Sequence, residues 1–121
     1  MEKHTLYELN EYIRRIIALN LPAPVWVSCE IYQLNVSRGH RYLSLVQKAE
    51  GQDLIIAQSD AVLWQRQYRK LERKLGTGMQ QLLSEGAAVL LQVTIDFSER
   101  YGLKLVIEDI DLSYTIGQLE Q

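Results

Sequence analysis

The chain has 121 residues, 47% hydrophobic and 23% charged, with a formal net charge of −2. That length suits one domain spanning 1–121 with a core that needs no covalent staples. The weakly acidic total excludes a generic polyanion sponge, since non-specific nucleic-acid affinity comes mostly from Lys and Arg neutralising phosphates; such binding would need local clustering. Cys29 is the single cysteine and cannot form an internal disulfide, and no charged n-region followed by an apolar h-region opens the chain. Apolar runs such as Ala87 to Leu91 fall far short of the roughly 20 residues that cross a bilayer. The expectation is a soluble, cytoplasmic protein with no membrane partner.

Thr5 with Glu8 three residues on is a capping-box signature, and Leu6, Leu9, Ile13, Ile16 and Ile17 then recur at helical spacing. An amphipathic helix is predicted from about Leu6 to Leu19. Pro22 and Pro24 end it, because proline disfavours helical geometry in the residue before it. From Val25 to Leu34 the apolar residues Val25, Val27, Cys29 and Ile31 alternate with Trp26, Ser28, Glu30 and Tyr32, the period-two pattern of a half-buried strand. Asn35 to His40 supplies turn residues, and Arg41 to Gln47 reads as a second strand with Leu43 and Leu45 facing opposite to Tyr42 and Ser44. After the turn Ala49 to Asp53, the stretch Leu54 to Trp64 contains a third strand ending near Val62-Leu63-Trp64.

From Gln65 to Glu85 the period changes. Tyr68, Leu71, Leu75, Met79 and Leu82 follow three- and four-residue spacing, with Arg66, Arg69, Lys70, Arg73 and Lys74 on other faces. Gly76 and Gly78 predict a break, each glycine costing about 1 kcal/mol relative to alanine inside a helix. Strands are then expected over Ala87 to Asp96, where Val89, Leu91, Val93 and Ile95 alternate with Leu90, Gln92 and Thr94, and from Leu103 to Ile110, joined by Ser98 to Gly102. The fold class this order predicts is mainly β: a five-stranded OB-fold barrel, partly open, with an N-terminal helix and a helix between strands 3 and 4.

Charge is unevenly spread. Basic groups gather at Arg38, Arg41 and Lys48 and along the second helix, and acids at Glu2, Glu8 and Glu11 and at Glu108, Asp109 and Asp111, so opposite faces are expected to carry opposite sign.

Several segments together resemble the N-terminal domain of the exodeoxyribonuclease VII large subunit. These are Leu6-Tyr7-Glu8-Leu9-Asn10-Glu11-Tyr12-Ile13, Val25-Trp26-Val27 with Glu30-Ile31, Gly39-His40 with Tyr42-Leu43 and Leu45, and Ala61-Val62-Leu63-Trp64. The resemblance continues through Tyr101-Gly102-Leu103, Leu105, Ile107 and Asp109-Ile110 to Ile116-Gly117, so nearly the whole chain is covered. It implies an OB-fold that binds single-stranded DNA at the front of a nuclease, which cuts such DNA into short oligonucleotides and works with a small helical subunit. The family's catalytic region lies downstream, so the chain is read as a domain cut from a longer protein, with no catalytic residues and no cofactor of its own. It departs from the family pattern at Cys29, where glycine is usual, at Ser28, where an acid is common, and in the length of the helix beginning at Gln65.

An OB groove holds single strands by stacking bases on aromatic rings while basic groups follow the phosphates. The candidate stacking rings are Tyr32, Tyr42, Trp64 and Tyr101; barrel packing is the competing role for Tyr42 and Tyr101, and the favoured one for Trp64, whose neighbours are apolar. Trp26 is expected to pack on the first helix. Arg38, His40, Arg41, Arg66 and Arg100 are the candidate phosphate contacts, each in a loop or at a strand end. The remaining basic helix face reads as solvated.

Enzyme chemistry finds little support. A nucleophilic cysteine needs a base held close, and Cys29, with only His4 or His40 available, falls on the apolar face of its strand. Metal-dependent cleavage needs convergent carboxylates, and Glu108, Asp109 and Asp111 alternate around one strand end, so no metal site is expected. Two alternatives stay open: a protein-interaction module docking another subunit, since fold does not fix function, and an anticodon-binding type of OB domain. The closing Tyr114-Thr115-Ile116-Gly117 and the opening helix favour the exonuclease resemblance.

Overall fold

The computed structural model describes residues 1–76, 78–111 and 113; the expectations for Tyr114-Thr115-Ile116-Gly117 fall outside the described residues. The element order is α1 (Leu6–Asn20), β1 (Val25–Ser37), β2 (His40–Lys48), β3 (Ile55–Leu63), α2 (Gln65–Leu75), α3 (Met79–Leu82), β4 (Ala88–Ser98) and β5 (Gly102–Ile110).

The capping box forms as the spacing predicts: Thr5 N–H donates to Glu8 Oε1 at 3.1 Å, and Glu8 N–H to Thr5 Oγ1 at 3.1 Å. These bonds satisfy two of the amides a helix start leaves unpaired. The same Thr5 contacts hold the Glu8 carboxyl below its usual value, the backbone bond first.

The strands close into a barrel in the order β1-β2-β3-β5-β4, with β1 pairing β4 to complete the circle. All pairings are antiparallel except the short β3–β5 contact, where Ala61 faces Leu105 and Val62 faces Val106. This is the OB-fold, closed rather than partly open. Strand β1 serves two neighbours: Val25 to Glu30 pair with β4, and Glu30 to Ser37 with β2. The register steps between Ile31 and Gln33, so Tyr32 sits at a bulge where the strand bends from one partner to the other.

Strands β1 and β2 run further than the composition predicts. Ser37 pairs with His40, leaving a two-residue turn of Arg38 (φ +54°) and Gly39 (φ +82°). Two positive φ values in succession make a type I′ turn, whose twist matches the flanking strands, so the polar run Asn35 to Ser37 remains in the ladder.

The alternation in each strand assigns the core as read. Ile31, Leu43, Leu45, Ala61, Leu63, Val89, Leu91, Val93 and Ile107 are buried in one cluster, with Val25, Val27 and Cys29 partly buried against it. Burial pushes the Cys29 thiol up to about 11, which leaves it inert at neutral pH. The predicted break falls at Gly76, whose φ of +85° ends α2. Beyond it the phase changes, and Leu83, four residues after Met79, takes the buried place expected for Leu82. Tyr68 and Leu71 of α2 join Met79 and Leu83 in the barrel's core cluster.

The charges do not separate onto opposite faces. Lys74 of the basic helix donates to Asp109 at 3.2 Å, which sets the acidic end of β5 beside α2. Among the described residues, no helix is long and apolar enough to cross a membrane.

Candidate nucleic-acid interface

The outward side chains of the β1–β2–β3 ribbon form the concave surface. Residues Gln33 and Asn35 on β1 pair with Ser44 and Tyr42 on β2, which in turn pair with Asp60 and Val62 on β3. Because side chains alternate across a strand, these six share the face opposite Leu43, Ala61 and Leu63. Ser44 and Val62 are buried yet stand apart from the barrel core cluster; they floor a cavity of about 460 Å³. Its far wall is the β4–β5 hairpin, through Ser98, Tyr101, Leu103 and Lys104.

That hairpin presents its aromatic by local chemistry. Ser98 pairs with Gly102, leaving a three-residue loop, and Gly102 takes a φ of +78° that a bulky residue would resist. Ser98 Oγ accepts the amides of Arg100 and Tyr101, both at 3.2 Å, fixing the loop's shape. Tyr101 is 77% exposed, with the Arg100 guanidinium 5.0 Å from its ring centroid. Helix α1 braces the loop from behind: Asn10 Nδ2 donates to the Glu99 carbonyl at 2.9 Å, and Arg14 Nε to Glu99 Oε1 at 2.5 Å. The Arg14 bond is the first cause holding the Glu99 carboxyl below the usual range.

Trp64 carries more than its apolar neighbours suggest. Its ring meets His40 edge-on at 5.1 Å and Tyr42 edge-on at 6.3 Å, with Lys104 Nζ 5.2 Å from its centroid, and it is 37% exposed. It is a rim aromatic that links the stacking candidate Tyr42 to the basic wall. Neighbouring sequence gave no signal of this, because the contacts come from β2 and β5. Lys104, Gln33 and Asn35 were missed for the same reason.

The predicted residues divide into three groups. Tyr42 and Tyr101 line one cavity, Arg100 adjoins Tyr101, and His40 reaches the rim through Trp64. Arg38 stands exposed at the tip of the β1–β2 turn and half-exposed Tyr32 at the β1 bulge, on the same hairpin but outside the cavity lining. Arg41 and Arg66 lie elsewhere. Arg41 alternates with Tyr42 and so projects to the other face, its guanidinium 3.3 Å from the Tyr68 centroid and Nη1 donating to the Gly39 carbonyl at 2.9 Å. Arg66 is exposed on the first turn of α2 and does not line the cavity.

His40 also has a structural task. Its Nδ1 accepts the Gln65 amide at 3.0 Å, capping α2, where the N-cap Trp64 has no side-chain acceptor to offer. That acceptor role leaves the neutral ring's proton on Nε2. Other acids are engaged structurally: Glu108 accepts from Thr94 Oγ1 at 3.1 Å, and Glu30 and Asp53 both bind Lys48, at 3.1 and 3.0 Å. Among the described residues, no three His, Cys, Asp or Glu side chains gather as metal ligands. Trp26 is 47% exposed, and α1 has no buried residue.

Comparison with known proteins agrees with this geometry. A family profile described as an OB-fold nucleic acid binding domain matches residues 4–111. The exodeoxyribonuclease 7 large subunit of Deinococcus radiodurans is 39% identical over 116 residues, covering 93% of this chain and 28% of that protein. The chain therefore spans little more than a quarter of that curated relative's length. Among solved structures, the Stn1-ten1 complex of S. pombe superposes with a TM-score of 0.51 at 13% identity, over 80% of this chain and 65% of that one, which speaks to the fold alone.

Proposed function

The chain belongs to the family of OB-fold nucleic acid binding domains, and from that membership we propose that its groove holds single-stranded DNA without catalysing any step itself. One observation carries the reading: Tyr42 and Tyr101, from separate hairpins, line one cavity together with Lys104, and the exposed cations Arg38 and Arg100 stand in the turns of those same two hairpins. Stacking on a tyrosine is worth roughly 1 to 3 kcal/mol per base and tolerates any base, since each has a π-face. A duplex hides those faces, so the rings select for single strands. Arg38 adds a second support. It is, among the described residues, the non-glycine residue at positive φ, and a cation kept where Asn or Gly would be relaxed points to use rather than folding.

The relative's name supplies context. We read the domain as presenting single-stranded DNA to a nuclease region of a longer exodeoxyribonuclease VII large subunit, with the downstream nuclease domain and small helical subunit that the family resemblance implies as its partners in the cytoplasm. An interaction module is the second reading, favoured by the exposed Leu6, Leu9, Tyr12 and Ile16 of α1.

Fluorescence anisotropy with single-stranded and duplex oligonucleotides across a salt series tests the reading. With about three phosphates neutralised, log affinity falls against log salt with a slope near −2, at roughly −0.7 per single-strand contact. Equal affinity for single strand and duplex would overturn the groove assignment and leave the α1 surface as the better-supported site.

A further inference from the structure

The groove holds a carboxylate that phosphate binding does not explain. Asp60 lines the cavity from the centre of β3, opposite Ser44, and among the described residues no side chain donates to its carboxylate. Its neighbours from β1 and β2 are neutral, and Lys104 of β5, the one cation among the described residues that line the cavity, is engaged elsewhere. Ser44 Oγ accepts from Gln58 Nε2 at 3.0 Å, and Gln33 and Asn35 contribute amides. Lys104 leans toward Asp96, 3.8 Å away, and toward Trp64.

An ionised carboxylate accepts hydrogen bonds and cannot donate. Beside a strand of phosphates it repels; a binding groove gains from it only where the nucleic acid offers donors. In DNA those donors are on the bases, and unstacked bases in a single strand expose their Watson–Crick edges to side chains. Guanine presents N1–H and N2–H side by side, spaced for the two oxygens of one carboxylate. Adenine and cytosine offer one amino group next to a ring acceptor that a carboxylate repels, and thymine offers N3–H between two carbonyls that do the same.

Resting on the single-strand reading above, we propose that Asp60 makes one position of the groove a guanine subsite: a base stacked among Tyr42 and Tyr101 turns its Watson–Crick edge to the β3 carboxylate, with the Ser44, Gln33 and Asn35 polar atoms around it. The domain is then tolerant of sequence along most of the bound strand and selective at one nucleotide.

The test titrates the 121-residue chain with fluorescent thymidine oligonucleotides carrying one central guanine, inosine, adenine or no replacement. The guanine strand binds tighter than the all-thymine strand by roughly fivefold, the lower end of what a bidentate base contact supplies. Inosine, which keeps N1–H but lacks the N2 amino group, falls between them. In Asp60→Asn the guanine advantage disappears, while the all-thymine strand binds as well as or better than before because a negative charge has left the groove. Asp60 is exposed, so the variant's melting temperature stays close to the parent's, which excludes misfolding as the cause. Equal wild-type binding of all four strands would overturn the guanine subsite and leave single-strand binding intact, as would a guanine preference that survives Asp60→Asn. Failure to bind any of the four would overturn both.

Discussion

Arg41 and Tyr42 are neighbours in β2, yet they belong to different parts of the molecule. On one face of the β2–β3 ribbon, Arg41 lies on the buried Tyr68 of α2 and Leu43 enters the barrel core; on the other, Tyr42, Ser44, Asp60 and Val62 shape a cavity open to solvent. The first face is held by burial, and the second keeps exposed rings and a carboxylate that no side chain among the described residues pairs, which folding alone does not require. Residue type does not distinguish them. An arginine serves packing while a tyrosine and a tryptophan stand in the open, and only strand alternation separates the two roles.

The largest effect expected from breaking this division comes at the turn that both faces share. Gly39→Ala forces an L-residue into φ +82°, and its Cβ would lie 2.4 Å from Gln65 Nε2. Strain of this kind costs about 1 to 3 kcal/mol, and it falls on the hairpin turn, with the Gln65 side chain displaced besides. Thermal unfolding checks it, and both stability and DNA affinity are expected to fall together.

A single-face test follows with the adjacent pair. Tyr42→Ala is expected to weaken single-stranded DNA binding by roughly 1 to 3 kcal/mol, the value of one stacked base, while its half-exposed ring leaves the melting temperature nearly unchanged. Arg41→Ala is expected to do the reverse, losing about 1 kcal/mol of stability from the cation–π contact with little change in affinity beyond its long-range charge. Parallel melting and anisotropy measurements would break the comparison if both variants moved the same quantity.

A smaller gain is expected inside the core face. The Tyr68 hydroxyl is buried with no hydrogen-bond partner among the described residues, and leaving such a group unsatisfied costs about 1 kcal/mol or more. Tyr68→Phe keeps the ring under Arg41, so it is expected to raise the melting temperature and leave DNA affinity alone.

The smallest effect concerns pH. Arg14, by its hydrogen bond, holds the Glu99 carboxyl below the usual 4.5, so the bridge contributes fully above that pH and its contribution is lost as pH falls through the lower folded value. Amide resonances of the Glu99 to Tyr101 loop are expected to shift over that acid range in the parent chain. In Arg14→Gln the Glu99 transition moves up toward 4.5.

Much of this was legible in the chain itself. Period-two runs at Val25 to Ile31 and Val89 to Val93 and the capping box at Thr5 report local geometry, and each formed where its pattern said. The glycines at Gly76 and Gly78 likewise marked the helix break. What stayed hidden was contact between distant segments. Trp64 looks like a core residue beside Val62 and Leu63, and only the arrival of His40, Tyr42 and Lys104 from other strands makes it part of the groove rim. Arg41 looks like a phosphate contact beside Arg38, and only Tyr68, from a helix 27 residues on, takes it away. The acidic end of β5 was expected to face away from the basic helix; Lys74 and Asp109 meet because α2 lies against that strand.

Amide chemical-shift mapping during titration with an oligothymidine shows which face of the ribbon takes the strand, because it reads both faces at once. Resonances of Asn35, Tyr42, Asp60, Tyr101 and Lys104 are expected to move together on binding, while those of Tyr68 and Leu71 stay in place. Shifts concentrated on α2, with Tyr42 and Tyr101 unmoved, would contradict the groove assignment.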